Sequence, residues 1–123
     1  MAVQGAGMAR ILIVDDEPVI AFDVEDILID AGFASAGVVG WLEAALGVIE
    51  SGGCDAAILD ANLAGVSAAP VAAALVARGL PFIVLSGYSA AQLERTFPNA
   101  VFLQKPFRPP HLIRTLRGIL AAR

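Results

Sequence analysis

The chain has a single cysteine, Cys54. No internal disulfide can form, and cysteine usage of this kind points to a reducing cytoplasm. A lone thiol at the entrance to an apolar run is expected to be buried and inert. Positive charge is also scarce. Eight Lys and Arg against twelve Asp and Glu leave a formal net charge of −4, which argues against a nucleic-acid partner. The shortage is uneven: residues 1–60 hold 11 acids and one base, and residues 61–123 hold one acid and seven bases. No long apolar run is present either. Residues 61–77 are uncharged, but Asn62, Gly65, Ser67 and Pro70 interrupt them, and the stretch is too short to span a bilayer comfortably. Met1 to Gly7 lacks the charged start and apolar segment of a secretory signal. The expectation is a chain with no membrane and no nucleic-acid partner.

What is present is apolar. Such residues make up 58% of 123, above the usual share, and the length fits one domain. Four short apolar runs end abruptly in polar groups. Arg10-Ile11-Leu12-Ile13-Val14 runs into Asp15-Asp16, and Ala56-Ala57-Ile58-Leu59 into Asp60. Phe82-Ile83-Val84-Leu85 runs into Ser86-Gly87, and Val101-Phe102-Leu103-Gln104 into Lys105-Pro106. Continuous apolar runs bounded this way read as buried strands of a parallel sheet. Ligands bind such sheets just past the strands' carboxyl ends.

Between the strands lie helices. Asp16-Glu17-Pro18 opens the first with an acidic cap and a proline in the first turn. Ile20, Val24, Ile27, Leu28 and Ala31 share its inner face, and Gly32 stops it. Phe33 to Val39 is the weakest strand, rich in Ala and Ser. Trp41 to Glu50 forms a second helix with Leu42, Ala45, Leu46 and Ile49 inward, and Trp41 is read as packing. A third helix spans about Val66 to Arg78, with Pro70 in its first turn or marking its regular start. Ser89 to Phe97 is a short helix at best. Pro109-Pro110 starts the last helix, with Leu112, Ile113, Leu116, Ile119 and Leu120 inward. His111 is read as a helix-start residue. The acidic first helix and basic last helix fall on one side of the sheet, as solvated faces that pair weakly.

Five alternating strand–helix units give an α/β fold with helices on both faces of one parallel sheet. The flavodoxin-like doubly wound five-stranded order 2-1-3-4-5 is the leading option. In that order strands 1 and 3 are neighbours, and Asp15, Asp16 and Asp60 converge. Three carboxylates together need a cation or a proton. Oxygen donors suit a hard ion, magnesium best and manganese as the alternative. Lys105 brings a mobile positive charge, Ser86 a hydroxyl, and Gly87 leaves room for a bulky group. A cation, an ammonium and a hydroxyl around a carboxylate form a site for a phosphoryl group, with Asp60 as nucleophile.

These residues, in this order, resemble the receiver domain of two-component response regulators. Asp15-Asp16 is similar to the family's acidic pair, Asp60 to its phosphoacceptor, Ser86 to its hydroxyl and Lys105-Pro106 to its lysine–proline. Phe102 is similar to its switch aromatic. The resemblance covers residues 9–121, with 1–8 as a flexible lead-in. It implies magnesium, phosphotransfer from a histidine kinase or histidine phosphotransfer protein, and autodephosphorylation. It also implies that the backbone carbonyl of Asn62 completes the metal site and that the Lys105-Pro106 bond is cis. The chain departs from the pattern at Ala64, where many members have proline, and at Phe102, which lacks the hydroxyl of the commoner tyrosine. Pro81 to Tyr88 resembles a single-domain subgroup with a Phe-Ala-Thr-Gly-Tyr-type signature. Tyr88 reads either as a gate over the site or as a half-exposed loop aromatic. The expected role is a signalling switch that alters protein–protein binding. Alternatives are a phosphate sink, a relay intermediate, or a binding module independent of phosphorylation. A phosphohydrolase would need a further acid–base residue near Asp60, and Asn62 stands in that place.

Overall fold

Side-chain alternation along the strands divides the protein into two cores, one on each face of a single sheet. The computed structural model describes residues 9–87, 95–98 and 100–122. The main sheet comprises β1 (Arg10–Val14), β2 (Ala34–Val39), β3 (Ala56–Asp60), β6 (Phe82–Ser86) and β7 (Val101–Gln104). A small hairpin, β4 (Asn62–Leu63) and β5 (Val66–Ser67), stands apart from it. The helices are α1 (Pro18–Asp30), α2 (Leu42–Glu50), α3 (Ala69–Ala77) and α4 (Pro109–Ala121). The sheet order is β2-β1-β3-β6-β7 with every pairing parallel, which is the expected 2-1-3-4-5 once the hairpin is set aside.

Ile11, Ile13, Ala56, Ile58, Ile83, Leu85 and Leu103 point to one face, where α1 and α4 cover them with Ala21, Val24, Leu28, Leu112 and Leu116. Their strand neighbours Leu12, Val14, Ala57, Leu59 and Val84 point to the other, under Ala45 and Ile49 of α2 and Val71, Ala72 and Leu75 of α3. Continuous apolar runs were needed because both faces are covered. Cys54 is buried, and burial, reinforced by the charge of Asp55, pushes its thiol up.

Several local expectations change. The third helix begins at Ala69 with Pro70 in its first turn, as one of the two expected starts had it, and not at Val66, because Val66–Ser67 folds back on Asn62–Leu63. The turn has positive φ at Ala64 (52°) and Gly65 (86°), the mirror-image geometry that matches strand twist in a tight hairpin. Asn62 Oδ1 accepts from the Gly65 amide at 2.7 Å and holds it closed. The first helix lacks the expected acidic cap: Glu17, at the N-cap, makes no side-chain cap bond. Instead Asp15 Oδ1 accepts from the Glu17 amide at 2.9 Å. Trp41 precedes α2 and is 62% exposed, so it does not pack as expected. β2 starts at Ala34. The acidic and basic helices do share a face, yet no ion pair links α1 to α4 among the described residues. Arg117 instead donates to the Ala31 carbonyl at 3.2 Å and lies over the Phe33 ring. The lead-in 1–8, Tyr88 and most of the expected Ser89–Phe97 helix lie outside the described residues. No described helix is long and apolar enough to cross a membrane.

Candidate functional site

Parallel pairing brings four strand ends to one edge of the sheet. β1 stops at Val14 and releases Asp15-Asp16, while its neighbour β3 carries Asp60 as its last residue. Asp15, Asp16 and Asp60 each present one carboxylate oxygen within 4.8 Å of the others. Asp15 is buried at 5% exposure, and the Asp60 side chain is only 12% exposed. The turn after β2 packs against this pair from the side. The Asp15 amide donates to the Val39 carbonyl at 2.9 Å. A Cβ on Gly40 would stand 3.4 Å from the Asp16 Cα, so the acidic turn has backbone alone for a neighbour there.

From the other side comes β7. Lys105 follows it directly and sends Nζ to within 3.3 Å of Asp60 Oδ2. Asp60 Oδ1 accepts from the Asn62 amide at 3.2 Å. One carboxylate is thus held by an ammonium on one oxygen and a backbone amide on the other. The Lys105–Pro106 bond is cis. Ser86, the last residue of β6, is buried, and its carbonyl accepts from the Lys105 amide at 2.8 Å. Gly87 is exposed, and a Cβ there would meet nothing within 4 Å. Phe102 pairs in register with Val84 and meets Phe97 edge-to-face at 6.5 Å.

The electrostatics are those of a site short of positive charge. The Asp15 carboxyl is pushed up from the ordinary aspartate value, mainly by burial. Asp60 and Asp16 add to that push, while the Glu17 amide and Lys105 oppose it. A buried acid beside two more acids, with one lysine among them, has the donor set of a hard divalent cation. The three carboxylates therefore fit a hard divalent cation such as magnesium, and Asp15, Asp16 and Asp60 are the residues that could hold it.

The structure brings Asp15, Asp16, Asp60 and Lys105 into one cluster and ties Ser86 to Lys105 through the backbone. Phe102 lies on β7 with its ring among the α2–α3 side of the core. His111 is exposed in the first turn of α4. Sequence reasoning missed three contributors. Asp15 acts as the turn acceptor for Glu17, for which the signal was an Asp two residues before the helix N-cap. Phe97 packs on Phe102 from an irregular segment with no periodic signal. Gly40 lies beside Asp16, an added Cβ there standing at ordinary contact distance from the Asp16 Cα, and nothing local in the sequence predicts that neighbour.

Comparison with known proteins follows the same lines. A family model described as the response regulator receiver domain matches residues 11–117. No curated protein sequence matches the chain. Among solved structures, SdrG from Sphingomonas melonis Fr1 is 41% identical with a TM-score of 0.79, over 93% of this chain and 98% of its own. A response regulator receiver protein from Sinorhizobium medicae WSM419 is 28% identical with a TM-score of 0.83, over 94% and 96%. A protein described as a putative response regulator from Chloroflexus aurantiacus J-10-fl is 29% identical with a TM-score of 0.81, over 93% and 98%.

Proposed function

This chain belongs to the response regulator receiver domain family, and from that premise we propose that it is a phosphoacceptor switch working through Asp60. The donor is a phosphohistidine of a histidine kinase or histidine phosphotransfer protein. The observation that carries this reading is the Asp60 carboxylate at the end of β3, flanked by Asp15 and Asp16 and 3.3 Å from Lys105 Nζ. An Asp60 oxygen attacks phosphorus, the new O–P bond forms as the donor's P–N bond breaks, and the departing imidazole takes up a proton. Asp15, Asp16, Asp60 and the Asn62 carbonyl would hold magnesium, or manganese in its place, and the bound cation would supply positive charge for the phosphoryl oxygens. Lys105 adds an ammonium already poised at the acceptor.

The reading extends to how the phosphate is sensed. Phosphoryl oxygens on Asp60 draw in the Ser86 hydroxyl and Lys105 by charge-assisted hydrogen bonds. Movement of Ser86 opens space beside β6, and the Phe102 ring fills it. Phe102 has no hydroxyl, so this coupling works by packing alone. The change at β6 and β7 alters what the protein binds downstream. One buried thiol and no disulfide support a cytoplasmic setting.

Intact mass spectrometry with acetyl phosphate and magnesium tests the acceptor. The wild-type chain should gain about 80 daltons, one phosphoryl group, and Asp60→Asn should gain none. Labelling that survives in Asp60→Asn would overturn the assignment.

A further inference from the structure

Asp60 runs almost directly into the β4–β5 hairpin, in which Asn62 stands opposite Ser67 and Leu63 opposite Val66. In an antiparallel ladder, pairs that exchange backbone hydrogen bonds alternate with pairs that exchange none. The Ala68 amide donates to the Ala61 carbonyl at 3.1 Å. Ala61 is therefore at a bonded position, Asn62 at an unbonded one, and Leu63 beside the turn at a bonded one. A strand residue turns its N–H and its C=O to the same side. At Asn62 that side is away from Ser67. Its N–H donates to Asp60 Oδ1 at 3.2 Å, and its carbonyl faces the same way, toward the edge that carries the carboxylates.

This orientation is held by a side chain. Asn62 Oδ1 accepts from the Gly65 amide at 2.7 Å. The bond closes the turn over Ala64, whose φ of 52° is unfavourable for a residue with a Cβ. Buried Leu63 anchors the hairpin from below, while Asn62, Ala64 and Gly65 are exposed. Without the Asn62 bond, a strained turn at the surface has little to keep it shut.

We infer that the Asn62 side chain is a positioning residue that makes the cation site selective for magnesium over calcium. The inference rests on the reading above, in which the Asn62 carbonyl completes the ligand set. The Asn62 amide oxygen is committed to Gly65 and acts through the backbone it fixes, as an outer partner of a ligand does. Magnesium demands near-ideal octahedral geometry at short distances, whereas calcium accepts a larger and more flexible shell. A carbonyl fixed by a closed hairpin suits the exacting ion. A carbonyl on a loosened hairpin can withdraw to suit the larger one.

Amide-resolved NMR titrations of the phosphate-free full chain with magnesium chloride and with calcium chloride give the two dissociation constants. In Asn62→Ala, magnesium binding should weaken about tenfold and calcium binding by no more than about twofold. Ala64→Val leaves Asn62 in place but sets a β-branched side chain at positive φ, and it should move the ratio of the two constants the same way. Ala64→Gly suits that φ and should keep the wild-type preference for magnesium. Circular dichroism checks that each variant is folded. General damage to the site would weaken both ions alike. Equal weakening in Asn62→Ala, or a ratio unmoved in either Asn62→Ala or Ala64→Val, would overturn the inference and leave the metal reading standing. A wild-type chain with no saturable magnesium binding would overturn both.

Discussion

The two edges of the sheet use the same residue types to opposite ends. At the amino-terminal edge, Arg10 of β1 and Asp55, the residue just before β3, form an ion pair at 3.2 Å. The Asp55 carboxylate also accepts from the Arg10 amide at 2.7 Å, and the guanidinium donates to the Gly52 carbonyl at 3.1 Å. Acid and base match one to one there, and water reaches both. At the carboxyl-terminal edge, three acids crowd within 4.8 Å with Lys105 bonded to one of them. Asp15 is buried and its carboxyl is pushed up. The first edge is a closed arrangement that changes little when perturbed. The second is incompletely neutralised and gains by acquiring positive charge or by changing shape around added negative charge. Charge is balanced at one end of the strands and unbalanced at the other.

Substitutions can break this contrast, and the largest effect is expected at Ser86. In Ser86→Ala, labelling of Asp60 should persist. The chemical-shift changes along β6 and β7 on beryllofluoride addition should be lost. Amide-resolved NMR showing the full wild-type pattern in the variant would remove Ser86 from the mechanism. Next comes the metal. A cation at ten times its Kd stabilises the folded state by about 1.4 kcal/mol, or roughly 3–6 °C in a domain of this size. Asp16→Ala should erase that magnesium-dependent rise, read by differential scanning fluorimetry with and without chelator.

A smaller, opposite-signed effect is expected at Asp15. Its carboxyl titrates above the unfolded value, so the charged form is a penalty at neutral pH that disappears as pH falls through the raised pKa. Asp15→Asn keeps an acceptor for the Glu17 amide and removes the charge. The metal-free variant should melt above the metal-free wild type at pH 7.5, and the gap should close as pH is lowered. A gap that widens toward acid would contradict the cause assigned to the shift. The smallest effect belongs to the other edge. Arg10 is half exposed, and surface pairs contribute little. Arg10→Ala should move the melting temperature by no more than about 2 °C and leave acetyl phosphate labelling unchanged. A larger loss would show that the amino-terminal edge is a stability determinant after all.

This contrast was half visible before folding. Strands announced themselves because burial on both faces demands unbroken apolar runs, and their polar ends marked the reactive edge. Asp15, Asp16, Asp60 and Lys105 could be placed together once the strand order was chosen. The Arg10–Asp55 clamp was not legible, since two charges 45 positions apart carry no local signal. Nor was the hairpin after Asp60. Ala64 occupies φ 52°, a region an L-residue enters at a cost of about 1 kcal/mol, so Ala there reads as helix rather than turn. Trp41 looked like core because of its size, yet it precedes α2 at a turn where backbone packs on the acidic pair and the indole has nothing to cover.

Strand β7 sits between the two cores and belongs to both. Phe102 turns toward α2 and α3, while Leu103, the next residue, turns toward α1 and α4. A displacement of the strand backbone would carry both side chains, so the two helical layers share this strand. Thermodynamic reciprocity follows. Any molecule on the α1–α4 face that prefers one position of β7 changes the stability of phosphorylated Asp60, and phosphorylation changes that molecule's affinity by the same factor. A phosphoryl group at the strand ends and a ligand on the helical face would thus be two handles on one equilibrium, and neither could be called upstream.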